Sequence, residues 1–292
     1  MKELRLKAFA KINLGLDVTG KREDGYHEVK MIMQTIGLYD RITLTEMKEP
    51  GIQINTNLPY LPANENNLAY KAAQILMDEF SIKKGVQIDM KKHIPVAAGM
   101  AGGSTDAAAV LHGINRMFGL KLSKQELMKR GVSLGADVPY CILRKTALAE
   151  GIGEVLTSID PMPDCFLLIA KPPISVSTKI VYENLILDDT TKHPDMDRLQ
   201  SDLKHHDLDQ IAQHMGNLLE TVTISRYPVI EEIKQVMKEN GALNAMMSGS
   251  GPTVFGIFTK EETAKEAWAE IKKSKLAKQI YITKPFVKSN RK

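Results

Sequence analysis

Between Ile94 and Asp106 the chain reads Ile-Pro-Val-Ala-Ala-Gly-Met-Ala-Gly-Gly-Ser-Thr-Asp, a run of small residues whose chemistry lies in its backbone. Glycine and alanine let main-chain amides approach a ligand closely. The first turn of a following helix adds unpaired N–H groups and the positive end of its dipole. That combination binds anions, phosphate above all. The segment is not a Walker loop, because it lacks the Gly-Lys-Ser/Thr ending, and Gly99-x-x-Gly102-Gly103 fits the dinucleotide fingerprint poorly. By itself the run implies a phosphate site or a tight strand-to-helix turn.

Other residues with chemical reach are scattered along the chain. Lys11 and Asn13 share one face of an alternating segment, either an ordinary solvated face or a cation and an amide aimed into a cleft. Tyr26 and His27 follow the Asp24-Gly25 turn, where a ring and an imidazole suit either plain surface or an aromatic ligand. Asp137, in Gly135-Ala136-Asp137-Val138-Pro139, is at a helix junction where an aspartate is usually a cap, with a functional carboxylate as the alternative. His205, His206 and His214 lack the carboxylate or cysteine company of a metal site. Cys141 and Cys165 stand in apolar surroundings without metal spacing and read as reduced core thiols.

The elements that must hold these groups are legible from periodicity. Val86–Lys91 alternates as a strand, and Ala107, Val110, Leu111, Ile114 and Phe118 form one helical face that Gly119 ends. Ser104 or Thr105 is the expected N-cap. From Leu4 to Val18 the even positions are apolar, a long strand with one face in a core. Val29–Ile36, Arg41–Thr45 and Ile52–Thr56 read as further strands, and Leu68–Phe80 as a helix capped by Asn66 or Asn67. Ser123-Lys124-Gln125-Glu126 is a capping box that opens a helix to about Leu134. The polar, proline-containing stretch from Ser158 to Asp164 marks a boundary, giving domains of 1–160 and 161–292. Beyond it, strand, helix, strand, strand, helix, strand follow in the split-βαβ order of a ferredoxin-like sheet, with a polar, largely helical insertion from Ser175 to Tyr227.

The whole chain sets mild bounds. Its 292 residues suit one large or two medium domains, and 43% hydrophobic with 25% charged residues is ordinary for a globular protein. A net charge of +4 is compatible with an anionic ligand and too small to argue for nucleic acid. The N-terminus enters a charged strand, and no run is long enough to span a bilayer, so a cytoplasmic location without membrane association is the expectation. No apolar helix face stands out to indicate an oligomeric state.

Taken in order, Ala10-Lys11-Ile12-Asn13-Leu14, then Pro95-x-x-x-Gly99-x-x-Gly102-Gly103-Ser104-Thr105-Asp106, then Gly249-Ser250-Gly251-Pro252-Thr253 resemble the three motifs of the GHMP kinases. The likeness runs from about Ala8 to Phe286. It implies an α+β, two-domain GHMP kinase fold, with an N-terminal ATP-binding domain like ribosomal protein S5 domain 2 and a C-terminal ferredoxin-like βαββαβ domain whose last strand returns toward the first. Asp24-Gly25-Tyr26-His27 and Leu134-Gly135-Ala136-Asp137-Val138-Pro139 resemble the branch of that superfamily that phosphorylates the C2 hydroxyl of a methylerythritol bearing a cytidine diphosphate. The resemblance implies ATP with Mg²⁺ as phosphoryl donor, Asp137 as general base and Lys11 as its partner. It places Pro95, Val96, Ala97, Ala98, Gly99, Met100, Ala101, Gly102, Gly103, Ser104 and Thr105 at the phosphates, with Asn67 on the adenine side. Asn13 would contact the substrate, Tyr26, His27 and Tyr182 would hold cytosine, and Gly249–Thr253 would close the site. Alanine at 97, 98 and 101 still permits close approach to a ligand provided φ stays negative.

Overall fold

A computed structural model describes residues 2–286 as an α+β chain in two compact units. The first comprises the chain up to Ala10, Leu38–Val96 and Ala101–Arg144; the second comprises Lys11–Gly37, Ala97–Met100 and Lys145 onward. Its elements begin with β1 (Glu3–Lys21), β2 (His27–Met47), β3 (Ile52–Thr56), α1 (Leu68–Glu79), β4 (Gly85–Lys91), α2 (Gly102–Phe118), α3 (Lys124–Gly131) and α4 (Asp137–Leu143). They continue with β5 (Thr146–Glu150), β6 (Val155–Ser158), β7 (Phe166–Lys171), α5 (Thr178–Glu183), α6 (Met196–His205), α7 (Leu208–His214) and β8 (Gly216–Asn217). The last are α8 (Glu220–Arg226), α9 (Val229–Glu239), β9 (Asn244–Met247), β10 (Val254–Phe258), α10 (Glu261–Lys273) and β11 (Gln279–Thr283).

In the first unit β3 lies parallel to β4, and β4 pairs antiparallel with Arg41–Met47 of β2. Helices α1 and α2 pack together, and α2 packs on α4. Asn67 caps α1 by accepting from Ala69 N at 2.9 Å, and the Ser123–Glu126 capping box opens α3, both as the sequence requires.

In the second unit the rest of β1 pairs parallel with β8, and Met31–Gln34 of β2 pairs with β5, which in turn pairs with β6. The C-terminal sheet has strand order β11-β7-β10-β9, antiparallel throughout. Helices α9 and α10 pack against it through Ile230, Ile233 and Met237, and through Ala264, Ala267 and Ile271, all buried. Each fully buried large aliphatic there contributes roughly 1.5–3 kcal/mol. The βαββαβ order is as expected, with α5–α8 and β8 inserted between β7 and α9.

Two expectations change. β2 is a single strand of 21 residues, not two, because Gly37 carries it through: its amide donates to Lys284 O at 2.9 Å, and a Cβ there would stand 2.8 Å from Thr283 Oγ1. β1 is buried on both faces from Ala10 to Val18, not on one. Gly15 shows why: a Cβ at that position would lie 2.7 Å from Met196 Sδ of α6, so the bare backbone lets a helix cover the face that alternation alone leaves open.

Candidate active site

The first unit carries the helix end of the small-residue loop. α2 begins at Gly102, and its N-cap is Ala101, ahead of both expected caps, in the left-handed region (φ 56°, ψ 32°) with no capping side chain. The first-turn N–H groups are therefore without a capping side chain. Ala97 (φ 49°) and Gly99 (φ 71°) are also left-handed, so Ala97 and Ala101 do not keep negative φ, while Ala98 does. Such a conformation costs an alanine roughly 1–2 kcal/mol, and its repetition in one short loop marks a backbone shaped for something other than stability. The Thr105 hydroxyl is spent inside the protein, donating to Phe9 O at 2.8 Å. A Cβ at Gly103 would meet only Leu68 Cδ1, at 3.5 Å, which brings the α1 terminus capped by Asn67 beside that of α2. Asp137 is half-buried as the first residue of α4.

Beneath this helix end is a cluster that sequence reasoning did not single out. Lys92, at the end of β4, donates to both Asp40 and Asp106, and all three side chains are almost wholly buried. No motif announces it, since its members come from a strand, a strand exit and a helix. The one signal was charge at core-facing positions: Lys92 alternates with the buried Met90 and Ile94, Asp40 with the buried Ile42, and Asp106 stands between the buried Thr105 and Ala107. Burial drives the Asp106 carboxyl up to about 8, against the pull of Lys92 and with the Asp40 charge adding to the rise. Burial pulls the Lys92 ammonium down, but Asp106 and Asp40 outweigh it and hold it above its usual value. Asp106 Oδ1 has no hydrogen-bond partner, which a neutral acid tolerates better than a carboxylate.

This arrangement fixes a pH dependence. Asp106 binds its proton more tightly in the folded chain than in the unfolded one, so its contribution is fully present below about pH 4 and is lost as pH rises through about 8. Stability is expected to fall from about pH 5 to about pH 8 and to level off above, and Asp106→Asn to flatten that fall. Melting temperatures of both proteins across the range check it; equal slopes would refute it.

The second unit carries Lys11 and Asn13, which the structure brings together. Both are buried, at 5% and 0% exposure, and Lys11 Nζ donates to Asn13 Oδ1 at 2.7 Å. An ammonium buried against one neutral oxygen keeps capacity for an anion. Lys11 N donates to Met100 O at 3.3 Å, tying β1 to the loop. The turn after β9 touches the same loop: Ser248 Oγ donates to Gly99 O at 3.0 Å, and a Cβ on Gly99 would lie 2.1 Å from Ser248 O. Asn217 holds the turn through Met247 O and Gly249 O, both at 2.8 Å. Of the hydroxyls in this third motif, Ser250 Oγ is 2.7 Å from Thr178 Oγ1, whereas the buried Thr253 Oγ1 has no hydrogen-bond partner among the described residues.

His27 and Tyr182 form a tilted ring pair, centroids 5.0 Å apart, while Tyr26 is 60% exposed. Burial, with Lys21 adding, lowers the His27 pKa and keeps the imidazole neutral at neutral pH. Burial pushes the Cys165 thiol up to about 12, an inert core group. Among the described residues no group of three or more His, Cys, Asp or Glu is placed to hold a metal ion, and no helix is long and apolar enough to cross a membrane.

Comparison with known proteins adds the following. Residues 67–145 match the GHMP kinases N terminal domain, and residues 199–278 match GHMP kinases C terminal. The chain is 56% identical over 286 residues to the 4-diphosphocytidyl-2-C-methyl-D-erythritol kinase of Lachnospira eligens, covering 98% of this chain and 99% of that one. It is 51% identical over 280 residues to the enzyme of the same name from Clostridioides difficile, covering 96% and 94%. A crystal structure of 4-(cytidine 5'-diphospho)-2C-methyl-D-erythritol kinase superposes with a TM-score of 0.83 at 29% identity over 97% of this chain and all of the other. Homoserine kinase from Cytophaga hutchinsonii, with a TM-score of 0.76 at 19% identity over 98% and 95%, shares the fold.

Proposed function

This chain belongs to the family of 4-diphosphocytidyl-2-C-methyl-D-erythritol kinases, and from that premise we propose how its residues divide the work. The reaction is transfer of the γ-phosphoryl group of ATP to the C2 hydroxyl of 4-diphosphocytidyl-2-C-methyl-D-erythritol, in the methylerythritol phosphate route to isoprenoid precursors. The observation that carries the reading is the identity to these kinases over nearly the full length, joined to a loop and helix end shaped for phosphate. The matched segments fall on either side of residue 160, which supports a functional division there.

Asp137 takes the proton from the C2 hydroxyl as its oxygen bonds to the γ-phosphorus, and the bond from that phosphorus to the bridging oxygen breaks to release ADP. Lys11 offsets the negative charge that develops on the attacking oxygen, and Asn13 orients the lysine while contacting the alcohol. Residues 95–105 hold the ATP phosphates through main-chain amides and the α2 dipole, with Asn67 on the adenine side. Mg²⁺ enters with the nucleotide as part of the substrate, shielding its phosphates; a hard cation of this kind is ordinarily held by phosphate oxygens and water with few protein ligands. His27 and Tyr182, with Tyr26 at the rim, take the cytosine.

The test is ADP release with 4-diphosphocytidyl-2-C-methyl-D-erythritol beside mevalonate and homoserine. Turnover with the cytidyl substrate alone is expected; turnover with either other alcohol at a similar kcat/KM refutes the specificity. The clamp makes a separate prediction. Tyr182→Ala is expected to raise KM for the cytidyl substrate by about tenfold, the scale of one base–aromatic stack, with KM for ATP unmoved. Tyr182→Trp retains the stacking surface and is expected to restore binding. An equal rise in both KM values would mean that Tyr182 supports the fold and not the base.

A further inference from the structure

The buried ion cluster grips both ends of the phosphate loop. Asp40 Oδ1 accepts from Ile94 N at 2.8 Å and also from His93 N, fixing the chain just ahead of Pro95. Lys92 bridges Asp40 to Asp106, which stands one turn into α2, and its Nζ lies 3.4 Å from Gly102 O at the helix start. The chain from Pro95 to Ala101 thus hangs between two anchors that share one lysine.

Stability does not account for such a cluster. Replacing a buried ion pair or triad by well-packed apolar residues is often neutral or stabilising. What the cluster does supply is direction: short charge-assisted contacts fix backbone groups at two places that the intervening left-handed residues cannot fix themselves.

We propose that Asp40, Lys92 and Asp106 are positioning residues that set the conformation of the phosphate loop and thereby the affinity for ATP, without touching the nucleotide. This rests on reading the loop as the phosphate site. Asp40→Asn puts an amide donor opposite the Lys92 ammonium while keeping nearly the same volume. Asp106→Leu removes the second anchor. Asp106→Asn offers the donor and acceptor of a neutral acid and serves as the conservative rescue.

The experiment is calorimetric titration of the full chain with MgATP, together with KM for ATP and for the cytidyl substrate and a thermal melt of each variant. Asp40→Asn and Asp106→Leu are expected to weaken ATP binding about tenfold, the loss of one hydrogen bond to a charged group, with KM for the alcohol unmoved. Asp106→Asn is expected to bring ATP affinity back. Folded Asp40→Asn protein with the parent ATP affinity overturns the proposal, as does Asp106→Asn binding as weakly as Asp106→Leu. Should Asp106→Leu fail to fold, Asp40→Asn against Asp106→Asn decides alone, the first having to weaken binding and the second not. Failure of the parent chain itself to bind MgATP overturns the phosphate-site reading, a result distinct from the others.

Discussion

Asp137→Asn is expected to lower turnover by about 10²–10⁴-fold, the range supplied by a positioned general base, while MgATP binds as before. The amide matches the carboxylate in size and occupies the same first position of α4, so the helix start and its packing on α2 are preserved. What is lost is the capacity to accept a proton from an alcohol that is a poor nucleophile at neutral pH. Single-turnover ADP release under saturating substrates, read beside a nucleotide titration, separates chemistry from binding. Turnover above a tenth of the parent rate would remove Asp137 from the base role. Loss of nucleotide binding in step with turnover would make it a structural residue of α4.

Lys92→Met is expected to destabilise the chain by about 3–5 kcal/mol, the usual cost of leaving a buried charge without its partner. Methionine fills much the same space, so the loss is electrostatic and not a cavity effect. Two acidic side chains then face each other in a site with little access to solvent. Loss of the Lys92 charge raises the Asp106 carboxyl further and protonation relieves that conflict, so the deficit is expected to shrink as pH falls from about 10 toward about 8. Urea unfolding of both proteins at the two pH values measures it. A deficit independent of pH would point to packing, and no deficit would show that the ammonium neutralises nothing of consequence.

Much of this protein was open to reading from residue order. Alternation in Val86–Lys91, the apolar face from Ala107 to Phe118 and the capping box at Ser123 are local signals, and local hydrogen bonds and side-chain direction satisfy them whatever surrounds them. The βαββαβ order was legible for the same reason, each element declaring its own period. The motifs sufficed to indicate a GHMP kinase through their resemblance, in order and separation, to those of that family, whereas the small-residue run by itself implied no more than a phosphate site or a tight turn.

Tertiary structure decided what depends on partners distant in sequence. The odd face of β1 looks solvated until α6 lies over Gly15, and with that face covered Lys11 and Asn13 become a buried pair. The α2 cap is Ala101, with the polar candidates Ser104 and Thr105 inside the helix, where the Thr105 hydroxyl donates to Phe9 O of β1. His27 and Tyr182 are 155 positions apart in the chain and meet only in the folded unit. The Asp40–Lys92–Asp106 cluster is the plainest case. Each residue alone is an ordinary charge, and only the removal of water around all three turns them into a proton-holding anchor.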